Sequence, residues 1–445
     1  MAAPLTVNGE KVIPTLWTER ILKREFDVVL GKMLQPAQAG PNETEEPYLR
    51  SANIQWEGVD VSDVKTMWFS PKEKRDLRLQ PGDLLVNEGG DMGRCAVWDG
   101  DLPECYFQNA INRIRPRRSS SARFLYYWLY NLKQAGFIDA IVARTTIGHL
   151  TAEKLEGVPW PDVPSPEQGR IAAYLDAICA AIDAAVATKQ CQVETLGRLR
   201  KTTINVAVTQ GCDQRVPLIQ IGSNWFPLIP SAWRVVRFKS LFRVIYRYPT
   251  YFNIEYVPEG IPEVRGEALT PDGFIERLTD ERYISAETGS LFPMTQLEIG
   301  DIVMSVRGTM GKIGIVDERY AGANITANLL RLSPDRNLVT GEFLRWVMRS
   351  IYFNEVLNSS APQTTIKTIT MPQLAKLRIA LPPRPEQEAI CDFLETKITE
   401  IKRTTAVIKR QIETLLAYRK SLIHECVTGQ RRVTEADIKR VQAHG

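Results

Sequence analysis

Histidine is nearly missing from this chain: His149, His424 and His444 are the only three in 445 residues. None has a cysteine or an acid at ligand spacing, so no metal site is expected. The seven cysteines (95, 105, 179, 191, 212, 391 and 426) include no Cys-x-x-Cys pair, which suggests neither a zinc ribbon nor a disulfide framework. Charge of one sign is lacking too. With 56 basic against 52 acidic side chains, net charge alone points to no polyanionic partner. Long apolar runs are scarce. The most apolar stretch, residues 171–187, is interrupted by Asp176 and Asp183 and is expected to be too short to span a bilayer, so no membrane partner is expected. The opening Met-Ala-Ala-Pro-Leu-Thr-Val has no basic segment leading into an apolar one. No export signal and a cytoplasmic location are therefore the expectation.

What the chain has is self-similarity. Thr145-Thr146-Ile147 returns as Thr364-Thr365-Ile366, and Pro166-Glu167-Gln168 as Pro385-Glu386-Gln387. The same offset of 219 pairs Ile171 with Ile390, Leu175 with Leu394, Glu194-Thr195-Leu196 with Glu413-Thr414-Leu415, and Arg200-Lys201 with Arg419-Lys420. An offset held over that span means two large copies of one unit. Each copy opens on a similar phrase, Ile13-Pro14-Thr15-Leu16-Trp17 and Ile229-Pro230-Ser231-Ala232-Trp233. Short β-branched and aromatic runs broken by Gly, Pro and Asp follow, the pattern of strands and turns. In mid-domain, Gly82-Asp83-Leu84-Leu85-Val86 matches Gly300-Asp301-Ile302-Val303-Met304, and Met92-Gly93-Arg94 matches Met310-Gly311-Lys312. That reads as strand, glycine-bearing loop, strand. A short helix is expected next, over 124–129 and 343–348.

Each globular part gives way to a long helix. Ser165 suits an N-cap, Pro166 the first helical position and Glu167 the first turn. Apolar stripes run along both helices: Ile171, Leu175, Ile178, Ile182 and Leu196 on the first, Ile398, Ile401, Ile408, Ile412, Leu415 and Leu422 on the second. Such a stripe cannot be buried against its own helix, and the other helix of the same chain is the nearest partner. The expected fold is α+β: two mixed α/β domains in tandem, each followed by a long helix, with the helices pairing as an antiparallel coiled coil of pseudo-twofold symmetry. The domain limits are 1–164, 165–211, 212–384 and 385–445. Two basic clusters stand out. Residues 113–123 hold five arginines and no acid, and residues 65–78 hold five basic side chains against Glu73 and Asp76. Such clusters can neutralise phosphates, or simply line a solvated loop. The copies differ most over 51–80 against 266–298, which suggests that the two domains bind different things.

With these features the chain closely resembles the specificity (S) subunit of type I restriction-modification systems. The resemblance rests on the Ile-Pro-x-x-Trp opening, the segment at 300–312, the Thr-Thr-Ile before Leu150 and Ile369, Pro-x-x-Pro-Glu-Gln at the helix start, and the terminal Arg-Lys-x-x-Ile with Val-Thr. It covers nearly the whole chain, twice. It implies two target-recognition domains, each reading one half of a split, asymmetric site in double-stranded DNA. It implies helical regions that act as a spacer and dock two modification (methyltransferase) subunits, with two restriction subunits in the nuclease form. S-adenosylmethionine would belong to the modification subunit and ATP with magnesium to the restriction subunit. The first copy departs from the pattern at Asn87-Glu88-Gly89-Gly90-Asp91, where the second has Ser305-Val306-Arg307-Gly308-Thr309. Residues 171–204 as helix would reach roughly 50 Å, a gap of at most about fifteen base pairs of duplex.

The chain itself is expected to be non-catalytic. It has neither an Asn-Pro-Pro-aromatic or Asp-Pro-Pro-aromatic motif nor a cofactor loop. Gly308-Thr309-Met310-Gly311-Lys312 is too short between its glycines for a Walker A motif, and Ile313 follows its lysine. Reading bases takes Arg or Lys for guanine and Asn or Gln for adenine, with hydroxyl and basic groups for phosphates. Candidates for DNA binding in the first domain are Arg50, Lys72, Lys74, Arg75, Asn87, Arg94, Asn109, Asn112, Arg144, Thr145 and Thr146. In the second they are Arg265, Arg307, Thr309, Lys312, Asn324, Thr326, Asn328, Thr364, Thr365 and Lys367. The rival expectation is a two-headed coiled-coil scaffold that joins protein partners without DNA specificity.

Overall fold

The computed structural model of this chain describes residues 6–7, 10–11, 17–143, 148–213, 215–222, 226–247, 254–307, 311–359, 374 and 377–443. Ile13-Pro14, both Thr-Thr-Ile segments, Arg144, Thr309 and Lys367 lie outside the described residues. The chain forms two compact units, one of residues 1–190 with 410–445, the other of residues 191–409. Both divisions fall inside long helices, Ser165–Gln210 and Arg384–Val427.

In the first unit a four-stranded antiparallel sheet runs in the order Phe26–Leu30, Ile111–Pro116, Leu84–Asn87, Cys95–Val97. In the second unit the order is Phe242–Tyr246, Leu329–Pro334, Ile302–Ser305, Ile313–Ile315. The register also repeats: Leu84 faces Val97, and Ile302 faces Ile315. The central strand of each sheet is apolar at successive positions because both of its faces are covered. Leu84 and Val86 point into the larger core beneath the helix Ala122–Gln134, while Leu85 points into a second core behind the sheet. Ile302 and Met304 against Val303 divide the same way. The second core is closed by Thr44–Leu49, which pairs antiparallel with Lys65–Phe69 and parallel with Tyr106–Phe107. Its counterpart Ile261–Val264 pairs antiparallel with Tyr283–Ile284 and parallel with Asn324–Ile325.

The Gln of each Pro-Glu-Gln is fully buried and ties its long helix to the domain before it. Gln168 accepts from the amide of Ser121 at 2.8 Å and donates to the Val163 carbonyl at 2.8 Å. Gln387 accepts from Thr340 N at 3.0 Å and donates to Leu338 and Pro382 carbonyls. Ser121 and Thr340 are themselves the N-caps of the domain helices. The expected cap at Ser165 is different in detail. The helix already includes Ser165, the amides of Glu167 and Gln168 bond the Pro164 carbonyl, and the Ser165 hydroxyl pairs with Ser119 at 2.9 Å.

The long helices run antiparallel where they meet within the first unit. Asp183 lies 3.5 Å from Arg419, and Lys189 donates to Gln411 at 2.7 Å, so the number falls on one helix as it rises on the other. Ile171 and Leu175 share one buried core with Leu422, Ile423, Cys426 and Val427 of the second helix. In the second unit Ile204, Ala207 and Val208 share a core with Ile390, Leu394 and Ile398. Between these buried ends, Leu196, Ile401, Ile408, Ile412 and Leu415 are only half-buried, as a two-helix seam leaves them. Ile178 is half-buried and Ile182 buried. The first helix is, contrary to the expectation from its sequence, long and apolar enough over one stretch to cross a membrane by length and composition. Packing accounts for that stretch: Ile171, Leu175, Cys179 and Ile182 are buried, while Asp176 and Asp183 meet Arg123 and Arg419.

Candidate nucleic-acid interface

The two domains carry the same hydrogen-bonded frame around one edge of the sheets. Asn87 N donates to Arg94 O at 2.8 Å, and Ser305 N to Lys312 O at 2.8 Å. Glu88 N reaches Ala110 O at 2.9 Å, and Val306 N reaches Asn328 O at 3.1 Å. Gln108 N reaches Leu49 O at 3.0 Å, and Thr326 N reaches Val264 O at 3.2 Å. Bond by bond, positions 87, 94, 108 and 110 in the first domain therefore correspond to 305, 312, 326 and 328 in the second. The glycine in each loop has positive φ, 82° at Gly93 and 78° at Gly311, a conformation that disfavours any side chain.

Beside this frame sits a matched arginine. Arg50 follows the strand Thr44–Leu49 and opens the turn Ser51–Asn53, and Arg265 follows Ile261–Val264 and opens Gly266–Ala268. Arg50 donates to the carbonyl and carboxylate of Asp63 at 2.9 and 2.8 Å. Arg265 does the same to Asp280 at 2.8 and 2.8 Å. The Arg265 hydrogen bond holds the Asp280 carboxyl below the usual carboxylate range. Lys65, and then Arg50, do so for Asp63. Both guanidinium groups are thus held in place at the rim, with their Nε atoms buried and unbonded.

In the second domain these elements enclose a cavity of about 390 Å³ lined by Arg265, Glu267, Arg282, Ser305, Arg307, Lys312, Thr326 and Asn328. Five of the residues singled out by sequence come together here: Arg265, Arg307, Lys312, Thr326 and Asn328. Four cations face one carboxylate, with hydroxyl and amide groups between them. That chemistry suits phosphates and the acceptor edge of guanine. Arg282, missed from the sequence although it lies in the divergent stretch 266–298, stacks over Tyr256 at 5.1 Å. Glu267 and Ser305 were missed as well.

Other sequence candidates are placed elsewhere. Asn112 and Asn324 are fully buried. Asn112 donates to the Leu150 carbonyl at 3.0 Å, and Asn324 accepts from the Ile325 amide at 2.9 Å, so both serve the fold rather than the surface. Asn87 is buried too, donating to Ser51 O at 3.1 Å. Arg94 reaches Gln55 at 3.3 Å, and Asn109 is half-buried. On the short helix Pro71–Leu77, Lys72 and Arg75 are exposed, but Lys74 is neutralised by Glu46 at 2.5 Å and Glu104 at 3.4 Å. Four of the five arginines in the run 113–123 pair with acids of the same chain, and Arg118 is exposed. Arg113 and Arg117 face Asp27, Arg115 is bonded to buried Asp83, and Arg123 to Asp176. Among the described residues no group of three or more His, Cys, Asp or Glu could hold a metal ion.

A family model for the type I restriction modification DNA specificity domain matches residues 36–195 and again residues 230–414. The chain belongs to that family. The specificity subunit of the type I restriction enzyme EcoBI from Escherichia coli is 25% identical over 423 residues, spanning 92% of this chain and 84% of that protein. The MjaVIII specificity subunit from Methanocaldococcus jannaschii is 26% identical over 373 residues, 80% and 82% of the two chains. A chain solved in work on complex assembly and conformational transition of the type I R-M system aligns with TM-score 0.71 at 17% identity, over 94% of this chain and 99% of that one. The HsdS subunit from Thermoanaerobacter tengcongensis gives a TM-score of 0.57 at 18% identity, over 94% and 98%. At these identities the solved structures speak to the fold. The two specificity-domain matches fall one in each half of the duplicated chain, so the role of this family, DNA recognition, is present here twice.

Proposed function

We propose that this chain is the DNA-reading subunit of a type I restriction-modification complex, and that each domain reads one half of a split, asymmetric duplex site. The observation that carries this reading is one cleft frame built twice in a single chain and furnished with different side chains. A duplicated frame meets the regular sugar-phosphate backbone in the same way twice, while unlike side chains meet unlike bases. The long helices dock two modification subunits, and two restriction subunits join in the nuclease. This chain performs no chemistry itself: S-adenosylmethionine is bound by the modification subunits, and ATP with magnesium by the restriction subunits. The complex acts in the cytoplasm.

Co-expression with the modification subunit, followed by mapping of methylated adenines in the host DNA, tests this. A motif of two unlike short sequences around a fixed gap is the expected result. Absence of methylation from an assembled, cofactor-loaded complex would overturn the proposal.

A further inference from the structure

The hydrogen-bonded frames match residue for residue, so the two domains can be compared position by position without any other sequence. At three matched positions both copies carry a cation: Arg50 and Arg265, Lys65 and Arg282, Arg94 and Lys312, the second of each pair lining the cavity of the second domain. Aspartates at matched positions accept from the first pair, Asp63 and Asp280. At other cleft positions the copies differ in chemistry. Gly89 stands where Arg307 does, Gln108 where Thr326 does, and Ala110 where Asn328 does. Gln108 and Ala110 are held by the same main-chain bonds as Thr326 and Asn328. The backbone is therefore constant there and only the side chain changes.

We infer a division of labour inside each cleft, which rests on the DNA-reading function proposed above. The three matched cations hold the phosphate backbone, and base selection falls to the variable positions, through Gln108 in the first domain and Arg307, Thr326 and Asn328 in the second. The reasoning is chemical. Phosphates are the same at both half-sites, so a contact to them keeps its positive charge in both copies. Bases differ between halves of an asymmetric site, so a contact to them cannot stay the same in both. Charge supports the split, since phosphate contacts need cations and dominate the salt dependence of affinity. The variable set contains the amides Gln108 and Asn328, which suit adenine, and Arg307, which suits guanine. The half-site read by the second domain is therefore expected to include a guanine contacted by Arg307.

The test uses the complex with its modification subunits and two duplexes, one carrying the motif methylated in host DNA and one scrambled. Arg94→Ala and Lys312→Ala are expected to weaken binding to both duplexes by the same factor and to lower the salt slope by about 1. Gln108→Ala and Thr326→Ala are expected to weaken binding to the motif duplex alone, by about tenfold or more, with the salt slope unchanged. Gln108→Thr with Ala110→Asn should alter the methylated motif in one half-site only. A loss confined to the motif duplex in the cation variants would overturn the division. So would an equal loss on both duplexes, or no loss at all, in the Gln108 and Thr326 variants. A wild-type complex that prefers no duplex sequence would instead sink the proposed function itself.

Discussion

Asp272 accepts from three cations within the second unit. Arg200 and Lys402 reach it from the two long helices at 2.6 Å each, and Arg349 from within the domain at 3.0 Å. Burial pushes its carboxyl up, but Lys402, Arg200 and Arg349 outweigh that and leave it below the ordinary value of 3.8. A carboxyl whose folded value is depressed adds stability above its unfolded value and loses it as the pH falls through the folded one. Asp272→Asn should therefore destabilise the second unit by about 1 kcal/mol near neutral pH, a modest figure because the site is partly solvated. That difference should be complete well above the ordinary value of 3.8 and shrink only as the pH falls below it, toward the depressed folded value. Urea denaturation of both proteins between pH 2 and 7 checks this; a difference that does not shrink as the pH falls below 3.8 would count against it. The internal pairs of the domains show how interchangeable such partners are. Asp301 is bonded to Arg331 on the neighbouring strand, whereas its counterpart Asp83 is bonded to Arg115, two positions further along. The strand keeps the ion pair and not the residue that supplies it.

At the scale of elements, the repeat made much legible. The strand–loop–strand core, the domain helices and the two long helices were readable because short apolar runs bounded by Gly and Asp, and the 3.6-residue helical period, survive in both copies. Partners were not readable. Nothing in Arg113 to Arg123 says that four of these arginines pair with aspartates of the same chain, since their acids, Asp27, Asp83 and Asp176, lie far away in sequence. Nor could spacing tell exposed Asn328 from buried Asn112 and Asn324, because burial depends on which strand closes over each one. The tryptophan of each opening phrase is a further case. Trp17 packs on Gly429, just past the second long helix, and Trp233 on Gly211, just past the first. Gly429 has φ 77°, and a Cβ there would lie 3.1 Å from the Trp17 ring. Gly429→Ala is expected to cost about 1–2 kcal/mol, from the left-handed backbone and the crowded ring together. A thermal melt of the variant measures it, and an unchanged melting temperature would show that this helix end is not held as described.

Across the whole molecule, the compact units do not follow the order of the sequence. The first unit takes residues 1–190 and then residues 410–445, from the other end of the chain. Leu422, Ile423, Cys426, Val427 and Val433 sit in its core at 4% exposure or less. Ending the chain at Lys409 removes all five, a loss on the order of 5–10 kcal/mol of apolar burial, comparable with the entire stability of a domain. Limited proteolysis of that truncated chain is expected to cut within residues 17–143 and to leave residues 226–247 and 311–359 protected. Equal protection of all three stretches would contradict the shared core.

The same arrangement reverses the usual order of events on the ribosome, where domains tend to fold as they emerge, the N-terminal one first. Residues 191–409 are continuous and can close once they have left the exit tunnel. Residues 17–190, made earlier, wait with part of their core unfilled until residues 422–433 are translated. The unit begun earlier thus finishes folding after the one begun later, and it is the one more in need of protection in the interval.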